Sequence, residues 1–227
     1  MPVLLCDLDD TLFDHQHATR HALRTLQATD DRLQAWPLED LKRRHHALLE
    51  HFHLKVLAGE LTIDEAREAR FSELVGGGDA RGLAPAYRAA YVEGFREVDG
   101  ALALMQALRA AAIPLIIVTN NLASEQWFKL ERCGHAPWVS GMVASSDVGV
   151  QKPAPEIFEA ALKTAGASRE DVVMLGDNWA NDVEGARASG ISCVWFNRTG
   201  AQAPDPTVRQ LSAYTPLEAT LATLFTR

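Results

Sequence analysis

The sequence lacks any apolar run near the roughly 20 residues that a membrane-spanning helix requires. Its N-terminus also lacks the basic region of a secretory signal, since acidic residues follow only a few apolar ones. We therefore expect a cytoplasmic protein that has no membrane partner.

Cysteine and basic residues are scarce as well. The three cysteines, Cys6, Cys133 and Cys193, are odd in number and widely spaced, which argues against a disulfide framework or a zinc site. The net charge of -8 argues against binding to nucleic acid, which needs a basic surface. A small anionic substrate remains compatible with this charge if the site contains a metal ion and a few local donors.

Short apolar runs, flanked by turn residues or acids, recur along the chain and are typical of buried parallel strands. They lie at residues 3–8, 113–118, 141–144, 172–175 and 191–196. Helical stretches at 123–133 and 155–165 separate the later runs. This repeated βαβ pattern predicts an α/β fold with a doubly wound parallel sheet.

The first gap in this pattern is several times longer than the others. Most of it, residues 15–97, has helical periodicity, and Thr62–Glu65 ("TIDE") is typical of a capping box. We therefore predict an α/β core formed by residues 1–14 and 98–227, with a helical cap domain inserted at 15–97. The proline-containing tail at 203–216 is expected to be a surface loop.

The first predicted strand runs directly into Asp7, Asp9 and Asp10. Two unit charges about 4 Å apart repel by roughly 4 kcal/mol at an effective dielectric near 20, so these acids are either splayed into water or hold a cation. Alternate residues of a strand point the same way, which places Asp7 beside Asp9 where α/β sheets bind ligands. This pair suits a nucleophile and a proton carrier, although a strand-end turn rich in Asp would have the same sequence.

Three further features follow later strands. Thr119 and Asn120 provide a hydroxyl and helix-opening amides for an anion, Lys152 provides an ammonium at a helix start, and Asp177 and Asp182 follow the run at 172–175. Taken alone, these features are more typical of a helix cap, a surface lysine and an acidic turn, respectively. If the strand before Asp177 lies beside the first strand, then Asp7, Asp9 and Asp177 form an oxygen site for Mg²⁺.

These motifs, "DLDDT", "VTNN", "QKPAP" and "GDNWAND", together resemble those of the haloacid dehalogenase superfamily of aspartyl-phosphate hydrolases, over essentially the whole chain. The resemblance implies that Asp7 is the nucleophile and Asp9 the general acid and base. It implies that Thr119 and Lys152 bind phosphate. Mg²⁺ would be held by Asp7, Asp177 and the backbone carbonyl of Asp9, with Asp182 one layer further out.

Finer features indicate a branch of this superfamily. The retained Asp9 favours phosphate over halide chemistry, and the segments at 57–74 and 148–158 resemble pyrimidine 5'-nucleotidases and N-acylneuraminate-9-phosphatases. We expect a Mg²⁺-dependent phosphomonoesterase acting on a small phosphorylated metabolite, first a nucleoside 5'-monophosphate and second a sugar phosphate. The alternatives are a sugar-phosphate mutase or other phosphotransferase, and a non-catalytic binding module. Trp179 either stacks on a substrate ring or packs within the protein.

Overall fold

The computed structural model describes residues 1–226, in which six strands form one parallel sheet. In chain order the strands are β1 (Val3–Cys6), β2 (Leu115–Thr119), β3 (Gly141–Ala144), β4 (Val172–Gly176), β5 (Ser192–Phe196) and β6 (Arg209–Leu211). The α-helices are α1 (His15–Thr29), α2 (Asp31–Gln34), α3 (Leu38–Leu57), α4 (Ile63–Leu74), α5 (Leu83–Glu93), α6 (Ala101–Ala110), α7 (Ala123–Arg132), α8 (Ser145–Val148), α9 (Pro155–Ala165), α10 (Gly185–Ala188) and α11 (Leu217–Phe225).

The chain divides into two compact units. One contains Met1–Asp14 and the chain from Glu97 onward, and the other is His15–Arg96. The sheet and helices α6 to α11 belong to the first unit, whereas helices α1 to α5 form the second. The return to the first unit therefore begins at Glu97, one residue before the boundary that the sequence predicts.

The order of strands in the sheet is β3-β2-β1-β4-β5-β6. The chain proceeds outward from β1 through β2 to β3 and then returns to place β4 on the other side of β1. Leu5 is paired with Met174 and Cys6 with Leu175, which sets the register of β1 against β4. This order confirms the doubly wound α/β fold, and its switch point lies between β1 and β4, where such sheets bind ligands.

Helices pack on the sheet through apolar residues at helical spacing. In α9, Ile157, Phe158 and Ala161 are fully buried against a cluster that includes Leu5 and Val118 from the strands. The helix begins at Pro155, whose fixed φ suits a first helical position, and ends before Gly166, which has φ 60°. These strands are buried, which explains why they read as continuous apolar runs.

Strand β6 differs from the sequence prediction. It lies within the tail at 203–216, which we expected to be a loop, and it pairs in parallel with β5. The N–H of Asn197 also donates to the carbonyl of Leu211, at 2.7 Å. The strand has only three residues, all of them partly or fully exposed at the sheet edge, so no alternation of apolar and polar residues marks it.

The helical unit confirms the predicted capping box at the start of α4. Thr62 accepts a hydrogen bond from the N–H of Glu65, whose carboxylate accepts one from the N–H of Thr62 at 2.8 Å. In the interior of this unit, the ring of His45 packs against the ring of Tyr87, with ring centroids 4.7 Å apart. Burial lowers the pKa of His45 well below its usual value, so this histidine is a neutral packing group.

None of the helices in the described residues combines the length and apolar character that crossing a membrane demands. The three cysteines are free, and burial raises the pKa of Cys6 well above its usual value. A buried thiol of this kind is a poor nucleophile, which agrees with a packing role for Cys6 in β1.

Tyr214 connects the C-terminal segment to the loop after β1, and we expect this contact to stabilise the fold. Its ring stacks on Phe196 with centroids 4.4 Å apart, and its hydroxyl donates to the carbonyl of Thr11 at 2.9 Å. Tyr214→Phe removes only the hydrogen bond and should lower the free energy of unfolding by about 1 kcal/mol. Tyr214→Ala also removes the ring and should cost about 3–5 kcal/mol in urea titrations. Equal losses in the two variants would contradict this assignment.

Candidate active site

Asp7 follows β1 at the switch point of the sheet, and the backbone holds it there. Its N–H donates to the carbonyl of Leu175 at 2.9 Å, which continues the pairing of β1 with β4 by one residue. The side chain is 11% exposed. The hydroxyl of Thr11 donates to Asp7 Oδ2 at 3.4 Å, while Oδ1 faces Lys152. One buried carboxylate is thus presented at the carboxyl edge of the central strand.

Lys152 places a buried ammonium beside this carboxylate. Its Nζ donates at 2.7 Å to Asp7 Oδ1, to Asp182 Oδ1 and to the carbonyl of Val118. These three acceptors use all three donors of the ammonium, so its position is fixed. The surface-lysine alternative is therefore wrong, because the Lys152 side chain is only 2% exposed.

Asp177 and Asp182 come from the segment that follows β4. Together with Asp7 they form a group of three carboxylates, each with one oxygen within 4.8 Å of the others. The indole N–H of Trp195 donates to the backbone carbonyl of Asp177 at 2.8 Å and fixes this turn. Asp182 accepts from Lys152 through one oxygen and from the N–H of Asn178 through the other, at 3.0 Å. Asp182 is therefore engaged by protein donors on both oxygens.

The electrostatics of this group indicate an excess of negative charge. Burial raises the pKa of Asp7 to about 7, even though the Lys152 ammonium opposes this shift. Burial and the charge of Asp7 raise the pKa of Asp177 to about 9. Burial alone would lower the pKa of Lys152, but the carboxylates of Asp182 and Asp7 outweigh it and raise this pKa instead. One ammonium thus does not balance three carboxylates.

The donor chemistry of the group fits a hard divalent cation. Mg²⁺ prefers oxygen ligands and is usually held by one or two carboxylates. Asp7 and Asp177 provide such oxygens, and a bound cation would offset the charge that raises their pKa values. Among the residues that the structure describes, this group of acids is the one whose ligand atoms lie close enough together to hold a metal ion.

Thr119 and Asn120 lie at the end of β2, the neighbour of β1. Thr119 is 2% exposed, and its Oγ1 accepts a hydrogen bond from Gln126 Nε2 at 2.7 Å. The side chain of Asn120 is paired with the backbone of Lys152, since its Oδ1 accepts from the N–H at 2.6 Å and its Nδ2 donates to the carbonyl at 2.9 Å. The Asn120 side chain therefore positions Lys152, and only its backbone N–H remains for an anion.

Asp9 is held by two residues that sequence reasoning missed. Lys129 Nζ lies 2.6 Å from Asp9 Oδ1 and 2.8 Å from Oδ2, and Gln126 Nε2 donates to Oδ2 at 3.0 Å. A signal for Gln126 was present, because it lies four residues before Leu130 in α7, a spacing that places both residues on one face of the helix. Lys129 had no such signal. It lies four residues after Glu125, a spacing typical of an ion pair on the exposed face of a helix.

Trp179 is partly buried in the segment after β4. Its ring meets that of Trp195 edge-on, with centroids 5.1 Å apart, and its indole N–H donates to Glu184 at 3.0 Å. Trp179 thus has a packing contact, and stacking of its partly exposed ring on a substrate stays a prediction.

Comparison with known proteins identifies relatives of this chain. A model of the haloacid dehalogenase-like hydrolase family matches residues 1–190. YfnB of Bacillus subtilis is 33% identical over 200 residues, which cover 86% of this chain and 83% of YfnB. The pyrimidine 5'-nucleotidase PynA of Streptococcus pneumoniae is 26% identical over 196 residues, with the same coverage of 86% and 83%. The pyrimidine 5'-nucleotidase YjjG of Escherichia coli is 35% identical over 109 residues, or 48% of each chain.

A solved structure supports the same relationship. The crystal structure of YfnB from Bacillus subtilis bound to magnesium superposes with a TM-score of 0.76 and is 30% identical. The match covers 97% of this chain and 98% of that one. The likeness therefore extends over both units of the chain.

Gly176 allows the close approach of Asp182, and we expect a larger residue there to disrupt the acidic group. A Cβ atom at position 176 would overlap the Asp182 carboxylate, which is itself bonded to Lys152. Gly176→Ala should lower the free energy of unfolding by about 1–3 kcal/mol in urea titrations.

Gly141→Ala in β3 is the matched control. A Cβ there would meet only the side-chain methyl groups of Ile116 and Thr164, both at 3.2 Å, so these groups need to shift by only a few tenths of an ångström. The loss should therefore be clearly smaller. Equal stability of the two variants would show that Asp182 adjusts just as readily.

Proposed function

Because the chain belongs to the haloacid dehalogenase-like hydrolase family, we propose that it is a Mg²⁺-dependent phosphomonoesterase that forms an aspartyl-phosphate intermediate. One observation carries this proposal. A buried carboxylate, Asp7, accepts a hydrogen bond from a buried ammonium, Lys152, at the edge of the sheet where two further carboxylates converge. A binding module has no need to hold a nucleophile beside a fixed cation in this way.

The metal would be held by Asp7, Asp177 and the backbone carbonyl of Asp9. When bound, Mg²⁺ supplies positive charge that neutralises phosphate oxygens and favours displacement at phosphorus. Asp182 would remain outside this set, because both of its oxygens already accept from protein donors. Its role in the proposal is to hold Lys152 in place beside Asp7.

In the first step, a carboxylate oxygen of Asp7 attacks the phosphorus atom and the bond to the leaving oxygen breaks. The protonated carboxyl of Asp9 gives its proton to that oxygen, so that a neutral alcohol leaves. Lys152 and the hydroxyl of Thr119 stabilise the phosphate oxygens during the transfer. The products are the alcohol and an aspartyl phosphate on Asp7.

In the second step, water attacks the phosphorus atom of the aspartyl phosphate. Asp9, now ionised, accepts a proton from that water, and the bond between phosphorus and the Asp7 oxygen breaks. Inorganic phosphate leaves, while Asp7 is regenerated as a carboxylate and Asp9 as an acid.

We propose a nucleoside 5'-monophosphate as the first substrate to test. The support is that PynA, which aligns over most of both chains, and YjjG are both pyrimidine 5'-nucleotidases. Every residue with a role in the two steps lies in the unit that contains Met1–Asp14 and the chain from Glu97 onward. We accordingly propose residues 1–14 and 98–227 as the catalytic domain and 15–97 as an inserted cap domain.

Asp7→Asn should abolish phosphate release, because an amide is not a nucleophile at phosphorus. We expect a loss of kcat of at least about 10³-fold, consistent with the removal of a group on which the whole mechanism depends. The measurement is phosphate release from a panel of nucleoside monophosphates and sugar phosphates. Asp147→Asn, at an exposed position in α8, is the matched control and should retain full activity. An Asp7→Asn protein that stays active would exclude the aspartyl-phosphate mechanism.

Mg²⁺ should raise the melting temperature of the protein, because the ion binds the folded acidic group. At a free concentration 100 times the dissociation constant, the stabilisation should be about 2.7 kcal/mol. Asp177→Asn should reduce this shift, whereas Asp147→Asn should leave it unchanged. The absence of any shift in the wild-type protein would contradict the proposed metal site.

A further inference from the structure

Two polar side chains are buried on the inward face of α7. Gln126 has no exposed surface and Lys129 is 3% exposed. Burial of an ammonium or an amide is costly unless its donors are satisfied. Apolar residues at these two positions would pack without this cost. The partners of Gln126 and Lys129 therefore indicate what the polar side chains do there.

The ammonium of Lys129 holds both oxygens of one carboxylate. Its Nζ is within 2.8 Å of each oxygen of Asp9, and it also lies 5.1 Å from the centre of the Phe13 ring. Charge-assisted hydrogen bonds to both oxygens fix the rotation of the carboxylate as well as its position. Lys129 thus determines where the group that carries the proton in the proposed reaction is aimed.

The amide of Gln126 links two functional groups. Its Nε2 donates to Asp9 Oδ2 at 3.0 Å and to Thr119 Oγ1 at 2.7 Å. A hydroxyl that accepts a hydrogen bond retains its own hydrogen for donation. Gln126 therefore directs the Thr119 hydrogen away from α7 and leaves it for a phosphate oxygen.

We propose that Gln126 and Lys129 are positioning residues for hydrolysis, which rests on the proposed function. Lys129 acts through Asp9, whose ionised carboxylate it holds in the orientation needed to accept a proton in the second step. Gln126 acts through both Asp9 and Thr119, and so couples the orientation of the Asp9 carboxylate to the binding of phosphate. The two residues, three positions apart on one helix, thereby align the acid–base and anion-binding parts of the site.

The test compares four variants of the full-length protein with Mg²⁺: Lys129→Met, Lys129→Arg, Gln126→Leu and the exposed control Lys163→Met. For each variant, kcat and KM for the best substrate are measured, together with the inhibition constant of inorganic phosphate. Circular dichroism reports whether each variant is folded. Lys163→Met should match the wild type in every measurement.

Lys129→Met should lower kcat by about 10²-fold, the cost typical of a misplaced catalytic group. KM and the inhibition constant of phosphate should change by less than about twofold, which corresponds to about 0.4 kcal/mol, because Lys129 bonds Asp9 and not Thr119 or Lys152. Lys129→Arg should recover part of the lost kcat, since it restores charged donors. Gln126→Leu should lower kcat and also weaken phosphate inhibition by about fivefold, as expected for one lost hydrogen bond.

A purely structural role would change kcat, KM and phosphate inhibition together in both variants, in step with stability, and that pattern would overturn the inference. Full activity in folded Lys129→Met would also overturn it. If Lys129→Met does not fold, Lys129→Arg and Gln126→Leu decide by the same criteria. Failure of the proposed function is a separate result, because then the wild-type protein would release no phosphate or Asp7→Asn would remain active.

Discussion

The ammonium of Lys152 organises the candidate active site, because it is buried among acids that repel one another. Its three hydrogen bonds reach Asp7 at the end of β1, Asp182 after β4 and the backbone of β2. Three neighbouring strands are thus joined at one charged atom. The remaining negative charge, which raises the pKa of Asp177, suits a divalent cation that Asp7 and Asp177 would hold.

The backbone around Lys152 is built to hold this ammonium in place. Asn120 forms two hydrogen bonds with the Lys152 backbone, so the residue after Thr119 positions the lysine. Gly176 leaves the space that the Asp182 carboxylate occupies, and Trp195 fixes the turn that contains Asp177. The Trp195 contact connects the end of β4 with its neighbour β5. The site therefore depends on the parallel sheet, which brings the ends of β2, β1 and β4 to the same edge.

A second ion pair, between Lys129 and Asp9, involves helix α7. Lys129 and Gln126 of α7 engage Asp9, so the two acids of the first motif have separate cationic partners. Asp7 is fixed by Lys152 in the loop before α9, whereas Asp9 is fixed by α7. The division matches the two different tasks that the proposed reaction assigns to these carboxylates, attack on phosphorus and transfer of a proton. Gln126 links Asp9 to Thr119, because its amide donates a hydrogen bond to each of them.

The sequence by itself determined the fold class and most of the site. Buried parallel strands are apolar on both faces, and the ends of such strands carry Asp7, Thr119 and Asp177, so periodicity and strand-end motifs were enough to predict them. The tertiary structure decided what spacing does not encode. Strand β6 is a short edge strand without a pattern of its own, and the role of Asn120 depends on a loop 32 residues away. The contacts of Lys129 with Asp9 span 120 residues, and only the packing of α7 against the end of β1 brings them together.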